Sequence, residues 1–192
     1  MKRVARAGLF AVTLVIGVAS LARADRLPGF AFENWDGRAI TNESFEGKTT
    51  IVVPTFAKCI FACPMVTFFL TELDQELGAP RDVQYLHISV NPQDDTAEEI
   101  RLHFEKHGID PEADPRWLFA NGPGDEIEKF LAETGIDVTR TPVEDGIVTE
   151  HTIRVFVVGP DGETVKTFDT YFWDMKEMVH AVRFTHETDT SY

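Results

Sequence analysis

The sequence predicts an α/β fold in which a central mixed β-sheet is flanked by helices and preceded by a β-hairpin. Two largely apolar runs rich in β-branched residues, 50–56 and 83–90, are typical of strands buried on both faces of a sheet. A helical pattern follows each run, and this alternation builds a sheet with helices on its faces. A third sign is Asp36-Gly37 inside an alternating segment, which is a strong signal for a tight hairpin turn.

The first half of the chain predicts a hairpin, a strand and a helix in that order. Residues 30–45 alternate around the turn and predict the hairpin, and residues 50–56 predict the first buried strand. A helix then extends to Gly78, a residue type that favours a helix end. Pro64 is compatible with this helix because the first turn tolerates proline. The helix presents apolar residues at helical spacing, namely Val66, Phe69, Leu70, Leu73 and Leu77.

The second half predicts further strands and helices, then a closing hairpin and helix. After the strand at 83–90, Thr96-Ala-Glu-Glu99 has the pattern of a capping box for a helix that ends at Gly108. The remaining predicted elements are a strand at 117–120, a helix at 125–134, a hairpin of residues 153–158 and 163–168 around Gly159-Pro-Asp-Gly162, and a last helix from near Phe172. A hairpin, a βαβα stretch and a final ββα unit together predict a thioredoxin-like arrangement.

The N-terminal 24 residues have the composition of a secretory signal peptide. Lys2, Arg3 and Arg6 precede an apolar run at 7–22, and small residues flank Arg23 at its end. The run is shorter than the ~20 apolar residues of a typical spanning helix. We therefore expect a signal peptide at 1–24 and an exported, periplasmic domain at 25–192. An uncleaved segment that anchors the domain to the inner membrane is the alternative.

The charge of the chain excludes some partners and leaves others open. The chain has 32 acidic and 18 basic side chains and a formal net charge of −14. So acidic a surface argues against nucleic acid or anionic lipid as a partner. Attraction to cations, attraction to a basic patch on another protein, and simple solubility all remain compatible with it.

Cys59 and Cys63 lie in the turn between the first buried strand and the helix that follows. Ligands collect beyond the carboxyl ends of strands in open α/β sheets, and a helix N-terminus favours a thiolate. A thiolate is both a nucleophile and a soft metal ligand that favours Cu(I) and also suits zinc. Residues four apart can present both sulfurs on one face of a turn. A purely structural disulfide is the alternative, but it would close too short a loop to stabilise much.

A third ligand is needed to complete a metal site, and His151 is the candidate. It lies at the entry to the predicted strand at 153–158, and in a thioredoxin-like sheet this region packs against the cysteine loop. Two thiolates and an imidazole suit Cu(I), or Cu(II) with one more donor. A loop histidine without a role is the alternative. The other histidines are expected elsewhere. His87 is expected in a core or edge strand, His103 and His107 on a solvated helix face, and His180 and His186 on the surface.

Four segments resemble the Sco/SenC family, the exported copper proteins of cytochrome c oxidase assembly. Residues 30–48 resemble its opening hairpin, and Cys59-Ile-Phe-Ala-Cys63-Pro64 resembles its Cys-x-x-x-Cys-Pro motif. Residues 88–96 resemble its Ser-Val-Asp-Pro-x-x-Asp-Thr segment. Glu150-His151-Thr152, followed by the turn at 159–162, is similar to its Asp-His-Ser/Thr segment. The resemblance covers nearly all of the chain after residue 24.

The resemblance implies a thioredoxin-like protein that binds one copper ion through Cys59, Cys63 and His151. It implies copper delivery to the binuclear copper centre on cytochrome c oxidase subunit II, or to another copper acceptor, or maintenance of that subunit's thiols. Such a protein is a metallochaperone rather than an enzyme. The alternatives are a periplasmic thiol-disulfide oxidoreductase, with Cys59 and Cys63 as a redox-active pair that forms a disulfide, and a copper or redox sensor.

The chain also departs from the family pattern. Asn91 and Glu150 stand where the family usually has Asp, and residues 53–58 replace its usual aromatic-Gly-Tyr/Phe-Thr-His approach to the first cysteine. Pro54 lies inside a predicted central strand, where proline is unusual. Groups around the ligands tune a metal site, so these departures bear on partner choice and redox tuning more than on metal binding.

Overall fold

A computed structural model describes residues 26–144 and 146–187, which contain nine strands and four α-helices. The strands are β1 (Ala31–Asn34), β2 (Ala39–Thr41), β3 (Thr49–Thr55), β4 (Val83–Ser89), β5 (Trp117–Asn121), β6 (Val138–Val143), β7 (Gly146–His151), β8 (Val155–Val158) and β9 (Thr164–Phe168). The helices are α1 (Ala62–Leu77), α2 (Ala97–Glu105), α3 (Gly124–Glu133) and α4 (Met175–Glu187), and a short 3-10 helix at Asn42–Phe45 follows β2.

Seven of the described strands form one mixed sheet in the order β2-β1-β5-β4-β3-β8-β9. The central strands β3, β4 and β5 are parallel, whereas β8 pairs with β3, β9 with β8, β2 with β1 and β1 with β5 in the antiparallel sense. Strands β6 and β7 form a separate hairpin. The mixed sheet with an N-terminal hairpin and flanking helices confirms the predicted α/β fold.

Apolar side chains cover both faces of the sheet, since every residue of β3 and β4 is buried. Ile51 and Val53 face one core, which α1, α2 and α4 complete. Val52 points to the opposite core, where the first hairpin and α3 pack. This two-sided burial explains why the sequences of both strands are largely continuous apolar runs and do not alternate between apolar and polar residues. It also fixes the carboxyl end of β3, from which the cysteine loop (residues 56–61) leads to α1.

Pro54 fits inside β3 because its side of the strand lacks a partner at that point. Strand β8 pairs with β3 only between Thr50 and Val52. The carbonyl of Thr55 accepts from the Val90 amide at 2.8 Å, so Thr55 directs its backbone groups to the β4 side. Neighbouring residues of a strand point their backbone groups in opposite directions, so the nitrogen of Pro54 faces the side beyond the end of the β8 pairing. No ladder hydrogen bond is lost there.

Three local predictions differ from the structure. The β6–β7 hairpin was not predicted: Asp145-Gly146 is a turn signal, but most residues of the two strands are exposed and give no burial pattern. Helix α4 begins at Met175 rather than near Phe172, and α2 ends at Glu105 rather than at Gly108. The predicted signal peptide lies outside the described residues. Within the described ranges, no helix combines the length and apolar content that crossing a membrane requires.

Candidate metal centre

The cysteine loop joins the end of β3 to the start of α1, and a sulfur occupies the usual place of a capping group. Phe61 is the N-cap residue and supplies no side-chain hydrogen bond to the helix. The amide of Cys63, in the first turn of α1, instead donates to Sγ of Cys59 at 3.5 Å. Free amides at a helix N-terminus favour negative charge, so this position stabilises a thiolate on Cys59.

The two thiols of this loop have opposite acidities. A hydrogen bond from the Cys63 thiol, aided by the amides of Cys63, Phe61 and Ala62 and opposed by burial, lowers the pKa of Cys59 to about 6. Donation of that same hydrogen bond, together with burial, raises the pKa of the Cys63 thiol above its ordinary value. At neutral pH the charge therefore resides on half-exposed Cys59, while buried Cys63 keeps its proton.

His151 is the last residue of β7 and aims one ring nitrogen at the cysteines. Its Nδ1 lies 2.9 Å from the Thr152 carbonyl oxygen. Because a carbonyl oxygen only accepts hydrogen bonds, Nδ1 carries the proton and donates. Its Nε2 lies 3.9 Å from Sγ of Cys63. Burial, opposed by the Thr152 carbonyl, lowers the pKa of His151, so the ring is neutral and Nε2 presents a lone pair. A hydrogen bond at one nitrogen that fixes the other as a ligand is typical of metal-binding histidines.

These positions fit a soft metal ion, although the three ligands are not fully assembled. With bonds of about 2.0–2.3 Å, two ligands of one ion lie at most about 4.4 Å apart, and Cys63 and His151 meet this limit. Across the described residues, no group of three or more His, Cys, Asp or Glu side chains is close enough together to hold a metal ion. Cys59 already shares a hydrogen bond with Cys63, so its half-exposed side chain must move closer to His151 to complete the set.

Thr55 is a site residue that sequence reasoning missed. Its hydroxyl is buried and has no hydrogen-bond partner among the nitrogen and oxygen atoms of the described residues. It lies beside the Cys63 sulfur and favours the thiolate form, opposing the rise in the pKa of that thiol. A metal-bound thiolate would give this hydroxyl an acceptor. The substitution of the family's usual approach to the first cysteine was the signal that pointed to this stretch.

A groove of about 480 Å³ leads from solvent to Cys59. The cysteine loop forms one wall, and β7 with His151 forms the other. Ile60 and Phe61, the two residues after Cys59, are each 80% exposed, and Ile147 opposite them is 65% exposed. Apolar side chains this exposed beside a reactive sulfur are available to contact another molecule.

The remaining histidines lie away from the sulfurs. His87 is fully buried in β4, in agreement with a core position. The expected solvated position of His103 is wrong: it is 2% exposed, and its Nε2 lies 3.0 Å from the Thr67 hydroxyl. His103 shares its helical stripe with Ile100 and Phe104, which was the missed signal. His180 is exposed, and the side chain of His186 lies outside the described ones.

Comparison with known proteins finds relatives along most of the chain. The SCO1/SenC family model matches residues 19–186. A SCO1 protein homolog of Bacillus subtilis is 29% identical over 143 residues, which cover 73% of this chain and 72% of the relative.

Solved structures resemble this chain as well. Bradyrhizobium japonicum ScoI with copper bound has a TM-score of 0.72 at 23% identity, covering 84% of this chain and 99% of that one. BsSco, described with a disulfide switch as a member of the Sco family of cytochrome c oxidase assembly proteins, has a TM-score of 0.67 at 23% identity, covering 84% of this chain and 94% of that one. These similarities show the thioredoxin-like fold, and the family match along residues 19–186 shows that this chain belongs to the SCO1/SenC family.

Proposed function

We propose that this chain is a copper-binding protein that holds copper through Cys59, Cys63 and His151 and acts in cytochrome c oxidase assembly. The observation that carries the proposal is the 3.9 Å approach of a lone-pair-bearing Nε2 of His151 to Sγ of Cys63. The donor set of two sulfurs and one imidazole suits Cu(I). Family membership and relatives that include a copper-bound ScoI support the same metal.

Copper is the cargo in this proposal, and the loop geometry indicates how it passes on. Cys59 is half-exposed at the end of the groove, while Cys63 is buried. An incoming thiolate from an acceptor reaches the Cys59 side first and replaces it on the metal. Cys63 and His151 then release in turn as further acceptor ligands replace them on the metal, so copper is never free. The acceptor we propose is cytochrome c oxidase subunit II or another copper-accepting protein. A copper-donating protein would load the site beforehand.

Export is part of the proposal and rests on residues 1–24 alone. Their basic start, apolar run and small residues at the end predict cleavage that releases the domain into the periplasm. An uncleaved segment would hold the same domain on the periplasmic side of the inner membrane. Mass spectrometry of the protein from its own cells distinguishes the two, since cleavage leaves a chain that begins at Asp25.

A His151→Ala variant tests the metal site. Reduced protein is titrated without oxygen against a chromophoric Cu(I) chelator, with His180→Ala as the control because His180 is exposed on α4. Wild type and control should bind one Cu(I) per chain, and His151→Ala should bind at least about tenfold more weakly, as expected when a metal site loses a ligand or its support. Unchanged one-to-one affinity in His151→Ala would refute the three-ligand site.

A thiol-disulfide oxidoreductase is the second candidate function, favoured by the exposed thiolate of Cys59 above the buried thiol of Cys63. The Cys59 thiolate would attack a partner disulfide and release one partner thiolate. Cys63, deprotonated, would then attack the Cys59 sulfur, release the second partner thiolate and leave a Cys59–Cys63 disulfide. This chemistry needs no metal ligand at His151. His151→Ala that keeps reductase activity but loses copper would separate the two functions.

A further inference from the structure

The segment 88–96 carries a buried carboxylate that contacts the cysteine loop. Asp95 is 3% exposed. Its Oδ1 accepts from the amide of Ala57 at 2.8 Å, two residues before Cys59. Its Oδ2 accepts from the hydroxyl of Ser89, the last residue of β4, at 2.5 Å. One side chain therefore ties the end of β4 to the backbone that leads into the first cysteine.

The turn that carries Asp95 is itself held in place. The side-chain amide of Asn91 donates to Oδ2 of Asp94 at 2.8 Å, and the Asp95 amide donates to the Asn91 carbonyl at 3.2 Å. From β5, Nδ2 of Asn121 donates to the carbonyls of Pro92 at 3.1 Å and Asp95 at 2.9 Å. These bonds leave the Asp95 carboxylate little freedom to move away from Ala57.

The same part of the fold also supports the second cysteine. His103 of α2 contacts the Thr67 hydroxyl, and this hydroxyl donates to the Cys63 carbonyl at 3.0 Å. Burial lowers the pKa of His103 to about 4, and a hydrogen bond with the backbone of Ala57 opposes this lowering, which places His103 against the loop as well. Helix α2 and the turn before it therefore contact the loop on both sides, before Cys59 and one helical turn after Cys63.

We propose that Asp95 is a positioning residue that fixes the Ala57 peptide and thereby holds Cys59 over Cys63. Ala57 is buried, so without the carboxylate its amide would be left without an acceptor unless the loop shifted. A shift at Ala57 moves Cys59 away from its partner sulfur. The proposal rests on the proposed function only where it names copper as the ligand, because a disulfide needs the same placement.

The test compares Asp95→Ala with two further Asp95 variants and a matched control. Asp95→Asn keeps an oxygen that can accept from Ala57, whereas Asp95→Ser is polar but too short to reach it. The control is Asp74→Ala, which removes another largely buried carboxylate, one bonded to Tyr85 and Arg116. Asp74 lies in the last turn of α1, ~16 Å from the cysteine end at 1.5 Å per residue.

Three quantities are measured on each reduced protein: urea stability, the Cys59–Cys63 disulfide equilibrium with glutathione in metal-free protein, and Cu(I) affinity. In Asp95→Ala and Asp95→Ser the disulfide equilibrium constant should fall about tenfold, because a freed loop lowers the effective concentration of one thiol at the other. Their Cu(I) dissociation constants should rise about tenfold. Asp95→Asn should stay close to wild type, and Asp74→Ala should lose stability without changing either equilibrium.

Each outcome decides the question. If the Asp95 variants shift neither equilibrium beyond the Asp74→Ala control, Asp95 only stabilises the fold and the positioning role is refuted. If Asp95→Ala does not fold, Asp95→Ser gives the same decision. If wild type binds no Cu(I) but the glutathione shift is present, the proposed copper function fails and the positioning role stands.

Discussion

Replacing His87 with leucine should stabilise the protein, because this histidine occupies an apolar position without hydrogen bonds. His87 is fully buried in β4, and neither ring nitrogen has a partner among the described residues. Its neighbours are aromatic: Phe119 stacks on it at 6.0 Å, and Phe104 meets it edge-on at 5.2 Å. Leucine has a similar volume and no polar atoms, so His87→Leu removes the unpaired groups with little change in packing.

The size of the effect follows from two terms. A buried polar group without a partner costs about 1–3 kcal/mol, so His87→Leu should raise the free energy of unfolding at pH 7 by about that amount. Burial, and then the charges of His103 and His107, hold the pKa of His87 well below 6.5. The unfolded chain therefore takes up a proton at His87 before the folded chain does. Above pH 6.5 His87 is neutral in both states and does not make stability depend on pH. As the pH falls below 6.5, protonation of His87 in the unfolded chain lowers the free energy of unfolding.

Urea unfolding at several pH values between 7 and 4.5 measures both terms. Wild type should lose up to about 1.4 kcal/mol per pH unit more than His87→Leu, the value for one proton. His103 and Asp95 also titrate here, with pKa values of about 4 and about 6, but both remain in the variant and cancel in the difference. An exposed-site control, His180→Leu, should run parallel to wild type. The reasoning would be refuted if the free energy of unfolding of His87→Leu changed with pH in parallel with wild type. It would also be refuted if the variant were less stable than wild type at pH 7.

Other predictions concern the loop and the frame of the fold. In reduced, metal-free protein at pH 7, iodoacetamide should label Cys59 well before Cys63, and equal labelling in peptide mass spectra would contradict the assigned acidities. Arg116→Leu should cost about 3 kcal/mol in urea unfolding, because it leaves the largely buried Asp74 carboxylate without its cation, and copper affinity should not change. Gly78→Ala should cost about 1 kcal/mol, because Gly78 ends α1 with φ of 81°; an unchanged melting temperature would contradict this.

The elements that could be predicted from the sequence are those encoded by neighbouring residues. Thr96 caps α2 by accepting from the Glu99 amide, and Gly78 ends α1 in the left-handed conformation, as their residue types predict. The β6–β7 hairpin has a comparable turn signal in Asp145-Gly146, but its strands are largely exposed and give no burial pattern to support it. Its two strands form β-sheet hydrogen bonds only with each other among the described strands. The packing of the whole hairpin against the rest of the fold therefore decides where His151 lies.

The site divides in the same way. The position of the cysteines at a strand-to-helix turn follows from local sequence, whereas the approach of His151 could be expected only from the thioredoxin-like arrangement as a whole. The contact of Asp95 with Ala57 and the burial of the Thr55 hydroxyl do not follow from either. Both depend on the register of β3 and β4, whose last residues Thr55 and Ser89 are paired; packing of the sheet sets this register, and no short pattern records it.

Two departures of this chain from the family pattern, Asn91 and Lys58, make contacts near the cysteine loop, whereas the proposed ligands are kept. Asn91 donates to Asp94, which a carboxylate at position 91 could not do at neutral pH. A third carboxylate beside Asp94 and Asp95 would instead repel both and further raise the pKa of Asp95, whose burial already raises it to about 6. Lys58, next to Cys59, pairs with Glu99 of α2 at 3.4 Å, an exposed contact worth at most about 1 kcal/mol. Lys58 attaches the loop directly to α2, and Asn91 supports it indirectly by holding the turn that carries Asp95, so this chain holds its cysteines through that part of the fold.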